Sequence, residues 1–367
     1  MVTISRRGVL VGAGAALVAA GGTGTALWRR GTGSMADYDA YAAELRSGLP
    51  TDPDLTELVR YAALAANGHN TQPWRFRVSA TRIDILPDWE RRTPVVDPDD
   101  HHLFVSLGCA AENLAIAAGA GGRSCESIQP ENGASLAFSL APSRPIDDPL
   151  FPAIARRQSS RTLYDGRPVP PAELDLLARA GEEEGVALVL LTERSRIDAV
   201  RDLIVSGNDI QMRDPAFMAE LKHWLRFSAR SAMTTGDGLF AAASGNPVMP
   251  DAIGRIAFDL FVTAASESAK AARQVDSSPG LAVFVGDAAD PEHWMKVGRA
   301  CQRFALQATV LGLRLAFLNQ PVEVASLRPQ LAALIGMSDK RPDLVLRFGY
   351  GPTLPYSPRR PVSTTLA

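Results

Sequence analysis

The sequence predicts a chain of mixed helices and strands laid out as two similar modules in tandem. Two long apolar stripes at helical spacing lie far apart. Leu103, Leu107, Ala110, Leu114 and Ala118 form the first; Val297, Cys301, Phe304, Ala308 and Leu311 form the second. At an offset of 190 residues Gly108 meets Gly298, Ala110 meets Ala300, Ala115 meets Ala305, Ala118 meets Ala308 and Gly122 meets Gly312. Between the stripes, Pro142 to Pro152 is a Pro/Asp-rich connector that divides the chain into residues 31–150 and 151–367.

Size and composition allow this plan. The chain has 367 residues, 46% of them hydrophobic and 21% charged, enough for a sizeable core. Net charge is −2, and the first 30 residues hold four Arg and no acid. The acidic balance of the remainder argues against a nucleic-acid partner. Cys109, Cys125 and Cys301 have neither metal-ligand spacing nor the pattern of a disulfide framework.

The chain opens with Ser5-Arg6-Arg7 and then runs uncharged from Gly8 to Trp28. A paired Arg before a weakly apolar run predicts that residues 1–30 are a twin-arginine export signal, a signal peptide that engages the twin-arginine translocase. The expected location is the periplasm or cell envelope. The 21 uncharged residues are also long enough for an uncleaved membrane anchor.

After a linker, helices are expected around Tyr38 to Arg46 and Leu58 to Ala66. Asn67-Gly68 breaks the second helix, since both residues tolerate positive φ. Pro73 is expected to hold Gln72 extended. Asn70 and Gln72 would then point their amides the same way, at a planar ligand rich in C=O and N–H groups. Strands are expected at Trp74 to Val78, Arg82 to Leu86, Ser135 to Leu140, Val186 to Leu191, Leu281 to Val285 and Leu344 to Phe348.

The stretch Asn67-Gly68-His69-Asn70-Thr71-Gln72-Pro73-Trp74 resembles the flavin loop of the nitroreductase family. It is closest to the single-chain tandem branch of Acg-like FMN-binding proteins. That family's usual Pro-Ser-Ser is replaced here by Ala66-Asn67-Gly68. The resemblance implies an α+β fold, an antiparallel sheet packed among helices, with two nitroreductase-like modules forming a pseudo-dimer in one chain. It also implies that Gly68, Asn70 and Gln72 cover the flavin.

A second constellation lies just past the connector. In an extended segment, Arg157, Ser159 and Arg161 project to one side, and two guanidinium forks with a hydroxyl suit a phosphate. The pattern resembles the family's Arg-x-Ser-x-Arg signature. That implies Arg157 and Ser159 on the FMN phosphate and Arg161 near flavin N1. Near the C-terminus, Arg359 and Arg360 resemble the family's basic pair that grips the same phosphate. The first half lacks such a motif; Arg46 and Arg60 stand alone there.

No metal site is expected, because Asp97, Asp99 and Asp100 beside His101-His102 read as a turn and helix cap. No side-chain nucleophile or acid–base pair is apparent, as suits chemistry carried by the flavin. The function implied is an FMN-dependent oxidoreductase passing electrons from NAD(P)H to a small acceptor such as a nitroaromatic or quinone. The alternative is an FMN-sequestering protein, closed by a lid resembling Glu220 to Arg226 and Asp237 to Phe240.

Overall fold

The computed structural model describes residues 28–128 and 134–367. The Arg6-Arg7 pair and all but the last residue of the uncharged run lie outside them. The first half contains α1 (Met35–Glu44), α2 (Leu55–Ala62), β1 (Trp74–Val78), β2 (Arg82–Pro87), α3 (His101–Ala120), β3 (Arg123–Ile128) and β4 (Leu136–Pro142). All pairings in its sheet are antiparallel, in the order β1-β2-β4-β3.

The second half begins with α4 (Phe151–Arg156), α5 (Pro171–Ala180) and β5 (Val186–Leu191). An excursion follows: α6 (Arg194–Arg213), α7 (Pro215–Trp224), β6 (Leu225–Arg226), α8 (Ala229–Thr235), β7 (Leu239–Phe240), α9 (Asp251–Phe261) and α10 (Ala264–Asp276). The sheet then resumes with β8 (Gly280–Gly286), α11 (Pro291–Val310), β9 (Arg314–Phe317), α12 (Gln320–Glu323), α13 (Arg328–Leu334) and β10 (Leu344–Gly349). Its order, β5-β8-β10-β9, repeats that of the first sheet strand for strand, again antiparallel. Helices α3 and α11 hold the same place in each, between the second and third strands, and both have 20 residues.

These helices cross at the centre. A Cβ on Gly108 would lie 1.9 Å from the Met295 carbonyl oxygen, and one on Gly298 would lie 2.0 Å from that of Val105. The two contacts are reciprocal at the 190-residue offset read from the sequence. Only glycine permits this approach, since any side chain would meet backbone. Helix α3 is apolar and long enough to cross a membrane, yet 89% of its most apolar stretch is buried inside the protein. Its start is capped from outside: Asp97 accepts from the amides of His102 and Leu103, both at 3.0 Å.

The C-terminal tail returns to the first sheet. Phe76 donates its amide to Thr365 at 2.8 Å, and Ala367 donates to Phe76 at 2.9 Å. The edge of β1 is thereby covered by residues far away in sequence. Residues after Arg157 do likewise at β9, where Ser160 donates to Leu315 at 2.8 Å. Four strands escape the sequence reading: β3, β9 and the two-residue pair β6 and β7. Strand β3 is mostly polar and only partly buried, without apolar alternation, and β9 has only four residues.

Candidate functional site

A cavity of about 470 Å³ opens between the halves, a size that suits a small-molecule cofactor. Gly68, His69, Asn70, Ser106 and Cys109 line it from the first half. Arg157, Ser159 and Arg161 line it from the second, and Tyr356, Ser357 and Arg359 from the tail. Its roof is apolar: Phe217, Leu221, Phe227, Leu239, Met249 and Phe258 all come from the excursion between β5 and β8.

One end of the cavity is cationic. Helix α4 stops at Arg157, which turns extended with ψ 132°, and Ser159 makes a parallel bridge to Leu315. This extended path carries Arg157, Ser159 and Arg161 to the one cavity. The Arg157 side chain is buried, and Nη2 donates to the Leu64 carbonyl at 3.1 Å. Its Nε and Nη1 have no partner. Arg359 is also buried, but fully used. It donates to the carbonyls of Ala63, Leu64 and Ala65 and to Asn70 Oδ1, at 2.7–3.1 Å. Arg46 donates to the Ala42 carbonyl at 3.0 Å and stacks over the Tyr356 ring at 4.0 Å.

Burial lowers the pKa of all four guanidinium groups: Arg46 falls to about 10, Arg359 goes well below its usual value, and Arg157 and Arg161 shift the same way. After burial, the charge of Arg46 and then Arg157 pushes Arg359 down further. Among the described residues, none of the four forms an ion pair with a carboxylate. Unbalanced buried cations are costly unless an anion joins them. The two orphaned nitrogens of Arg157 mark where its donors are wanted.

The opening loop departs from expectation. Gln72 is not extended: its φ is 53°, and His69 and Asn70 also have positive φ, at 47° and 54°. Gly68 itself does not need positive φ. Three non-glycine residues in the left-handed region store backbone strain that surrounding contacts must hold. The amides supply those contacts. Gln72 is fully buried; its Nε2 donates to the Gly236 carbonyl at 2.8 Å, and its Oε1 accepts from the Arg360 amide at 2.9 Å. It does not line the cavity. Asn70 does, but its Nδ2 donates to the carbonyls of Gly238 and Pro358, and its Oδ1 accepts from Arg359. The two amides thus tie the loop to the excursion and the tail.

Gly236-Asp237-Gly238 forms a strap across this junction. Gly238 donates its amide to Asn70 at 3.1 Å, and Asp237 is paired with both Arg91 and Arg226. A Cβ on Gly236 would sit 2.7 Å from the Arg359 carbonyl oxygen. The second member of the tail pair, Arg360, also departs from expectation. It lies outside the cavity wall and donates to the carbonyls of Gln72 and Thr364 at 3.3 and 2.6 Å. Arg46 was missed, because an isolated Arg in an unremarkable helix end carries no local signal; only folding brings it beside Arg157. The Asp97, His101 and His102 ligand atoms lie within 4.8 Å of one another. Asp97 caps α3 and His102 Nε2 lies 3.1 Å from Asn319; His101 Nε2 lies 3.0 Å from Asp343 Oδ1 but makes no hydrogen bond.

No protein-family model matches the chain. It is similar to "Putative NAD(P)H nitroreductase Rv3131" of Mycobacterium tuberculosis, 26% identical over 333 residues, covering 88% of this chain and 93% of that protein. It is also similar to "Putative NAD(P)H nitroreductase acg" of the same organism, 24% identical over 324 residues, covering 83% and 92%. Among solved structures, the FMN-dependent nitroreductase NfnB of Mycobacterium smegmatis, in complex with NADPH, aligns with 58% of this chain and 94% of its own. The TM-score is 0.40 and the identity 13%. A nitroreductase with bound FMN from Bacteroides fragilis covers 56% and 89%, with TM-score 0.35 and 14% identity. Over more than four fifths of its length, the chain is thus similar to proteins named as NAD(P)H nitroreductases.

Proposed function

We propose that the protein binds FMN in this cavity and acts as a nitroreductase-type oxidoreductase fed by NAD(P)H. The observation that carries the reading is the buried, acid-free guanidinium cluster at one end of the cavity. Arg157, with Ser159 beside it, would hold the phosphate through charge-assisted bonds, and Arg46 and Arg359 would add positive charge nearby. Arg161, whose Nη1 lies 3.4 Å from Ser244 Oγ, would stand toward the ring. When bound, FMN would supply the centre that accepts a hydride and passes electrons to a nitroaromatic or quinone. The protein's own share is to place it, keep positive charge near it and exclude water with the apolar roof. The repeated strand order and reciprocal glycine contacts support a tandem duplication, and a fused pseudo-dimer with its site between the modules.

The strap favours a second reading, FMN sequestration without turnover, because it fastens the roof over the cavity through Asn70, Gln72, Arg91 and Arg226. An absorbance spectrum of the purified protein before and after anaerobic addition of NADPH separates the two. A yellow protein that bleaches supports the oxidoreductase. One that stays yellow supports sequestration, and a colourless protein that binds no added FMN sinks both. Export by the twin-arginine pathway, which carries folded proteins with cofactor in place, is proposed for residues 1–30.

A further inference from the structure

Helix α9 is apolar on both sides. Gly254, Ala257 and Phe258 face inward and line the cavity. Ile253, Ile256 and Leu260 face outward, while Phe261, partly exposed, turns back to the cavity wall; Ile256 is 60% and Leu260 66% exposed. Spacings of three and four residues place these three on one continuous stripe. Such a stripe on a soluble surface is unfavourable unless something covers it.

Arg30 and Gly31, just past the uncharged run, pack beside this helix. Gly31 packs on Pro250, the residue before α9, so that a Cβ there would be 3.1 Å from Pro250 Cβ. Arg230 donates to the Arg30 carbonyl at 3.1 Å. The uncharged run from Gly8 to Trp28 therefore joins the described fold beside the first turn of α9. At 21 residues it is long enough to cross a bilayer, and nearly twice as long as the 11-residue α9 that it would have to shelter against instead. Arg29, Arg30, Arg230 and Arg255 are exposed around this junction, a basic rim suited to anionic headgroups. The one acid on the outer half of α9, Asp259, is paired with Lys222 at 2.6 Å.

We propose that the outer face of α9 docks on a lipid bilayer carrying anionic headgroups, with Ile253, Ile256 and Leu260 entering the interface. The wall between bilayer and cavity is then one helix thick. The proposal rests on α9 and the N-terminal run, and is independent of the cofactor assignment.

The test is amide hydrogen exchange of residues 251–262 in the full chain, with and without phosphatidylglycerol/phosphatidylcholine vesicles. Exchange should slow several-fold on vesicles, and the slowing should vanish in an Ile256→Asp, Leu260→Asp double variant. Both side chains are exposed, so the fold should survive. As a second measurement, an Ile256→Trp variant should lose fluorescence to brominated lipid, while a Leu176→Trp control on α5 should not. Three results overturn the proposal. The first is no change on vesicles. The second is slowing that appears without lipid as protein concentration rises, which assigns the face to a second copy. The third is slow exchange in dilute, lipid-free protein that is released when residues 1–27 are cut away, which assigns it to the chain's own segment.

Discussion

Arg157 is the residue on which the phosphate assignment turns. Its Nε and Nη1 are buried without partners, and its charge opposes those of Arg46 and Arg359. In Arg157→Ala, FMN affinity should fall by about 1.5–3 kcal/mol, the scale of a hydrogen bond to a charged group. The thermal midpoint of cofactor-free protein should hold or rise, because an unpaired buried cation has gone. Titration with FMN and melting of the stripped variant check both halves; flavin retained as in wild type refutes the phosphate role. His69 gives a pH signature. Burial, then Arg161 and His102, hold its imidazole down at about 4, against about 6.5 in an unfolded chain. Between these values the unfolded chain takes up a proton that the folded protein refuses. Stability present above about pH 6.5 is therefore lost as pH falls toward 4. The urea midpoint of His69→Gln should lack this part of the decline, so its difference from wild type should change across that window.

At the scale of elements, the α3–α11 crossing and the strap make separate predictions. Gly108→Ala would drive a methyl group into the Met295 carbonyl. The helices must separate, at a cost of about 3 kcal/mol or more. Gly48→Ala, with nothing near its added carbon, should be neutral within about 0.5 kcal/mol. Equal denaturation midpoints for the two variants would rule out the close crossing. Asn70→Ala removes both bonds to the Gly238 and Pro358 carbonyls as well as the acceptor for Arg359. The strap should loosen before the phosphate grip does. Faster hydrogen exchange over residues 235–240 and faster flavin release should appear together. Unchanged exchange there would mean that the amide does not hold the strap.

For the whole molecule, one FMN per chain is expected. The pseudo-twofold plan offers two equivalent places, but the cationic end is built once, from Arg157 in the second half, Arg46 in the first and Arg359 in the tail. Extraction of flavin from fully loaded protein gives the stoichiometry, and a value near two would break the link between cluster and site. Neither half forms this cavity alone, because its walls come from both halves, the tail and the excursion between β5 and β8. The tail's bonds to β1 further tie residue 367 to the first sheet.

Six strands and both central helices were legible in the sequence because each is a local matter: a run of alternating or continuous apolar residues, or a stripe at helical spacing, records which face must be buried. The Gly108–Gly298 offset was legible too, since close helix approach leaves a residue type behind. Arg157, Ser159 and Arg161 were legible as a group because extended backbone alternates side chains without reference to the rest of the fold. Tertiary structure alone decided what Asn70 and Gln72 do. Their amides could satisfy a ligand or a backbone equally well, and only the arrival of Gly236, Gly238 and Pro358 settled which. It alone brought Arg46 to the cluster, since charges far apart in sequence have no local pattern. Burial then turned four ordinary arginines into a site that wants an anion, because removing water from a charge is a property of the surroundings and not of the residue.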